Sequence, residues 1–165
     1  MATDESHGAL ILDANVLIDY CDSDVSILGL ASEQRRVYVA GPVLDEVEEL
    51  DEDECERIGL RILQPSTEQF VEAGRGSSAL SFQDKLCLAM AEEKRLTAVT
   101  NDKRLRSECG ARGIPVLWGL GIMVDLVRAE RLASADAVAV AEAMREANPY
   151  FITAAVVEAF REQVS

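Results

Sequence analysis

The stretch LILDANVLID, residues 10–19, runs three aliphatic residues into an aspartate and then changes rhythm. A continuous apolar run ending abruptly in a carboxylate suits a short strand buried on both faces, here residues 9–12. Residues 16–20 read as the start of a helix. A carboxylate placed directly after a buried strand is costly unless something pairs with it. Asp13 therefore either caps the following helix, with Asn15 as a turn residue, or holds a ligand.

Outward from this stretch the same alternation recurs. Residues 37–40, in RRVYVAGP, form a β-branched strand closed by a Gly-Pro break. Pro42 suits the first turn of a helix, and Val43, Val47 and Leu50 follow at helical spacing, which predicts a helix reaching the acidic run beyond. Further strands are expected at 61–63, at 97–100 (TAVT) and at 115–118 (PVLW). Helices are expected over 25–32, after a cap at Thr67, from about Ser81, and through DKRLRSECGARG, with a flexible GRGSS loop at 74–78. Beyond about Arg131 the pattern is helical only, and Ile152, Val156, Phe160 and Val164 recur every four residues as one apolar stripe.

Strands alternating with helices predict a parallel α/β sheet with crossover helices. The expected organisation is a single domain over 1–165, with a core at 9–131 and a helical extension at 132–165. A chain of 165 residues, 48% of them hydrophobic, can bury a substantial core. The N-terminal MATDESHGA has neither the basic patch nor the apolar stretch of a signal peptide, so a cytoplasmic protein away from membranes is expected. The four cysteines show no CxxC spacing and read as reduced thiols. His7 is the single histidine, which excludes mechanisms built on an internal imidazole.

Net charge is −14, from 30 acids and 16 bases. Nine of those acids lie in DEVEELDEDECE, residues 45–56, so the excess is local. Four placements, one of them at the start of that run, are more informative. Asp13 follows the first strand, Asp102 follows TAVT, Glu46 lies early in the segment after the second strand, and Asp84 opens the helix after the Gly/Ser loop. In an open parallel sheet these positions share one edge. Four unpaired carboxylates there would repel one another, and a divalent cation with oxygen ligands removes the conflict. Each acid also has a plainer role. Asp13 and Asp102 are candidate helix caps, Glu46 a solvated surface acid, and Asp84 a first-turn partner of Ser81.

These residues together resemble the PIN-domain family of small Mg²⁺/Mn²⁺-dependent ribonucleases, whose small members include VapC-type toxins. The resemblance rests on Asp13 and Asn15 in ILDANVLID, Glu46 in GPVLDEVEEL, Asp84 in LSFQDKLCLAMAEEKRL, and Thr100, Asn101, Asp102 and Leu105 in the pattern T-N-D-x-x-L. It spans residues 9–118. It implies a three-layer α/β/α sandwich around a parallel sheet of about five strands, and metal-dependent hydrolysis of RNA. Asp13, Asp84 and Asp102 would hold Mg²⁺ or Mn²⁺, and Glu46, next to Asp45, would act as ligand or water orienter. Asn15, Thr100 and Asn101 would support that shell, and Lys85, Lys103, Arg104 and Arg106 are candidate phosphate contacts.

The resemblance also implies an RNA substrate, a small basic antitoxin as partner, and a homodimer. A second reading makes the chain a catalytically weak scaffold whose acidic face meets a basic protein. A haloacid-dehalogenase-like phosphatase would require Asp-x-Asp-x-Thr after the first strand. Asn15 and Leu17 stand at the third and fifth places.

Overall fold

The computed structural model describes residues 8–76 and 79–165. His7 and the end of the GRGSS loop lie outside the described residues.

The first strand, β1 (Leu10–Leu12), is wholly buried, as its uninterrupted apolar run requires. It pairs in parallel with β2 (Val37–Ala40) on one side and β4 (Thr97–Val99) on the other. Outside these lie β3 (Arg61–Leu63) and β5 (Val116–Leu117), both less buried, as edge strands are. The sheet has five strands, all parallel, in the order β3-β2-β1-β4-β5.

Helices α1 (Ala14–Ser23) and α2 (Ser26–Gln34) connect β1 to β2, and α3 (Gly41–Leu44) and α4 (Glu52–Ile58) connect β2 to β3. The chain then crosses beneath the sheet through α5 (Thr67–Ala73) and α6 (Phe82–Lys94) to β4, and α7 (Lys103–Arg112) leads to β5. Right-handed crossovers put the helices of these two halves on opposite faces, because the strand order runs outward from β1 in both directions. The expected α/β/α architecture around five parallel strands is therefore present.

The helical extension comprises α8 (Gly121–Arg128), α9 (Ser134–Ala147) and α10 (Ala154–Val164). It packs on its own domain. Helix α9 lies against α1, and α10 lies against α8 and α9. The apolar stripe of the tail is what docks: Ile152, Phe160 and Val164 are buried, with Val156 half-buried and Val157 buried beside it. An ion pair of 2.7 Å between Arg35 and Asp125, both mostly buried, ties α2 to α8.

Two local expectations are corrected. The helix opened by Pro42 ends at Leu44, and residues 45–50 form turns before a separate helix, α4, begins. Val43, Val47 and Leu50 are all buried as their spacing suggested, but the backbone between them is not helical. Continuing the helix would set Asp45 against Glu48 and Glu49 on one face, and like charges at those spacings oppose it. Asp51 instead caps α4, accepting from the Glu54 amide at 2.8 Å, and Glu52, Asp53 and Glu54 occupy its first turn. Much of the acidic run thus complements the positive end of a helix. The second correction is one residue wide. The cap of α5 is Ser66, in a reciprocal capping box with Gln69, and Thr67 is the first helical residue.

Candidate functional site

The strand order reverses between β1 and β4, so the carboxyl ends of these two strands diverge into their connections side by side. Such a switch point is where open α/β sheets bind ligands. Asp13 leaves β1 there and Thr100 leaves β4, and the two meet. The Thr100 hydroxyl donates to Asp13 Oδ2, while Asp13 Oδ1 accepts from the Asn15 backbone amide at 2.7 Å. Both Asp13 and Thr100 are buried. Thr100 Oγ1 also accepts from the Asp102 amide at 3.1 Å, so one hydroxyl joins the first acid to the backbone of the fourth.

Asp102 is the cap of α7. Its Oδ1 accepts from the amides of Arg104 (2.8 Å) and Leu105 (3.0 Å). Asp84 lies in the first turn of α6, in a capping box. Its Oδ2 accepts from the Ser81 amide at 3.2 Å, and its own amide donates to Ser81 Oγ at 3.0 Å. The capping roles open at the sequence level are therefore real for Asp13, Asp84 and Asp102. They do not exhaust the carboxylates: Asp84 Oδ1 and Asp102 Oδ2 accept no hydrogen bond among the described residues.

Electrostatics bring the acids together. Burial pushes the Asp13 carboxyl above its ordinary range, Thr100 and the Asn15 amide pull it back, and the charges of Asp84 and Asp102 push it up again. The buried Cys87 thiol, one turn after Asp84, is pushed up by burial and then by Asp13, Asp84 and, more weakly, Glu46. Cys87 is thus a protonated packing group that feels the charges of Asp13, Asp84 and Glu46. Glu46 is the outlying member. It sits exposed in the turn after α3, not within a helix as expected.

The supporting residues divide. Thr100 hydrogen-bonds both Asp13 and the Asp102 amide. Asn15 contributes only its backbone amide, and its side chain is exposed. The Asn101 side chain turns away from the acids and accepts from the Gly119 amide at 2.8 Å. The Gly119 carbonyl in turn accepts from the buried Tyr20 hydroxyl at 2.6 Å, so Asn101 braces the turn after β5. A side chain at Gly119 would collide with Asn101 Nδ2, its Cβ falling 2.9 Å away. Lys85 Nζ donates to the Arg75 carbonyl at 3.3 Å, and Lys103, Arg104 and Arg106 are exposed.

Sequence reasoning passed over Asp19. It is buried under the extension, its Oδ1 accepting from Asn148 Nδ2 at 3.1 Å. Its carboxyl is pushed up to about 6, chiefly by burial, with Asp13 and Asp22 adding repulsion. The available signal was its place between Val16, Leu17 and Tyr20 in the apolar stripe of α1.

The donor set is all carboxylate oxygen, the chemistry of a hard divalent cation. Among the described residues no three acid, cysteine or histidine side chains stand close enough to form a ready cage. Mg²⁺ does not need one, since it keeps several waters and takes one or two carboxylates with substrate phosphate. The free oxygens of Asp84 and Asp102, beside a fixed Asp13, fit that open kind of site. Among models of known protein families and among curated proteins, the chain matches none.

Proposed function

We propose that the chain is a metal-dependent endoribonuclease of the PIN class, hydrolysing phosphodiester bonds of RNA at the β1/β4 switch point. The observation that carries this reading is the Thr100 bridge, which locks Asp13 to the Asp102 backbone within the repulsive reach of Asp84. Acids held at a cost near one another need a cation, and no described residue supplies one with a direct contact to Asp13.

Asp13, Asp84 and Asp102 would hold Mg²⁺ or Mn²⁺, which would activate water and stabilise a leaving oxygen. The chain's own contribution is orientation. Thr100 and the Asn15 amide fix both oxygens of Asp13, and the capping bonds of Asp84 and Asp102 each leave one oxygen without a hydrogen bond among the described residues, available to a ligand. Glu46, exposed at the rim, is free to accept a hydrogen bond from the attacking water or to complete the ligand set. Among the acids named, a carboxylate would take the proton.

Incubating the protein with single-stranded RNA and Mg²⁺ or Mn²⁺, beside Asp13→Asn and Asp84→Asn, tests the reading. Cleavage by the parent, lost in both variants and in EDTA, is expected. Cleavage that survives either change overturns it. A role as a toxin restrained by a small basic antitoxin, in a homodimer, is part of the same proposal. Growth arrest on expression, relieved by the partner, is its expected outcome. The second reading, an acidic scaffold meeting a basic protein, draws on the lack of a ready three-ligand cage among the described residues and on the exposed acids from Asp45 to Asp53. Failure to bind Mn²⁺ at millimolar concentration would favour it.

A further inference from the structure

Positive charge is scarce in this chain, and its distribution is uneven. Two grooves flank α6 and α7 and share Leu80 and Glu108 in their walls. One, of about 290 Å³, is lined by Arg75, Lys85 and Arg112 together with Glu72. The other, of about 370 Å³, is lined by Lys103 and Arg104 with Ser107. Five of the chain's 16 bases line this pair of grooves, against two of its 30 acids. The bases also begin where the site ends. Lys85 follows Asp84 in α6, and Lys103 and Arg104 follow Asp102 in α7.

Stability does not account for two of them. Lys103 and Arg104 occupy the first turn of α7, where the helix dipole disfavours positive charge. Neither forms an ion pair among the described residues, whereas Arg112 is engaged by Glu108 at 3.0 Å and lies 3.9 Å from Glu92. Cations kept unpaired at an unfavourable helix end, beside a carboxylate site, fit an anionic ligand that arrives from outside.

We propose that the paired grooves along α6 and α7 are the track for the phosphate backbone of single-stranded RNA, with Lys103 and Arg104 as its contacts next to the carboxylates. The inference rests on the nuclease reading, whose acids it serves. It also explains how a chain of net charge −14 meets a polyanion: the approach runs along a stretch of surface where bases outnumber acids.

The test measures binding of a short fluorescein-labelled single-stranded RNA in EDTA, so that cleavage does not intervene, across a series of salt concentrations. The Lys103→Gln/Arg104→Gln pair should bind about tenfold more weakly, with the slope of log affinity against log salt reduced by about 1.4, the share of two phosphate contacts on a single strand. Its Tm should equal or exceed the parent's, which separates lost contacts from lost folding. Arg36→Gln/Arg61→Gln, exposed bases outside both grooves carrying the same charge change, should bind as the parent does.

Equal weakening by both pairs, or by neither, overturns the track. Displacement of the RNA by polyglutamate at matched charge concentration also overturns it, assigning the grooves to an acidic protein. Metal-dependent cleavage with binding indifferent to Lys103 and Arg104 rejects the track and leaves the nuclease reading intact. Groove-dependent binding without any cleavage does the reverse.

Discussion

The Thr100 hydroxyl serves two partners at once, donating to Asp13 and accepting from the Asp102 amide, with no exposure to solvent. Thr100→Val keeps the shape and strands both partners in a buried setting, where an unsatisfied polar group costs about 1–3 kcal/mol. The expected result is a loss of that order in urea unfolding, together with a 10–100-fold drop in Mn²⁺ affinity, about what is lost when a supporting hydrogen bond to a metal ligand is removed. Thr100→Ser should restore metal affinity more fully than stability.

Asp19 behaves differently, because its cost is tied to charge. Its folded-state value of about 6 lies above the ordinary 3.8, so the folded chain holds the proton more tightly than the unfolded one. Its contribution to stability is fully present below pH 4 and is lost as pH rises through 6. Asp19→Asn, which still offers Asn148 an acceptor, should therefore match the parent near pH 4 and exceed it in Tm above pH 6.5. A Tm difference constant across that range would refute the assignment.

At the scale of elements, side-chain caps mark where six of the described helices begin. Asp13, Asp51, Ser66, Ser81, Asp102 and Thr153 each accept from an amide of the first turn they precede. Two of these six also stand in the candidate site, so a helix start and a ligand shell share side chains there. Asp51→Ala, remote from β1 and β4, tests capping alone and should cost about 1 kcal/mol without affecting cleavage. The Arg35–Asp125 pair makes a sharper prediction. Arg35 Nη1 is already buried without a hydrogen-bond partner among the described residues. Asp125→Ala would leave the whole guanidinium uncompensated, at a cost of about 3–5 kcal/mol by chemical denaturation.

The extension is part of the body at the scale of the whole molecule. Helix α9 lies along α1, the helix that Asp13 caps, and Phe160 of α10 is completely buried. Phe160→Ala should cost about 3–5 kcal/mol, as deletion of a large buried ring does, and should loosen the site through α9 and α1. Reduced cleavage at temperatures below the unfolding transition would show that coupling. Among the described residues no helix is long and apolar enough to cross a membrane.

Much of this was legible because it is local. The run LIL before Asp13 marks a strand buried on both faces, and the alternation of such runs with helical stripes determines a parallel sheet flanked by helices. The four acids were legible too, since each stands at a strand end, at the start of the segment that follows one, or, for Asp84, in the first turn of a helix after a Gly/Ser loop. What the sequence could not determine depends on distance through space. PVLDEVEEL buries the same apolar residues as a helix or as turns, and only the competition between like charges and the Asp51 cap decided for turns. Asn101 lies next to Asp102 in the chain, yet its amide binds the Gly119 turn. Asp19 reads as one more polar residue of α1 until α9 and Asn148 close over it. LILDANVLID by itself made Asp13 a cap with an acid's charge. The strand order β3-β2-β1-β4-β5, which puts Thr100 and Asp102 beside it, made it the centre of a candidate site, because repulsion and hydrogen bonding act over ångströms and not along the chain.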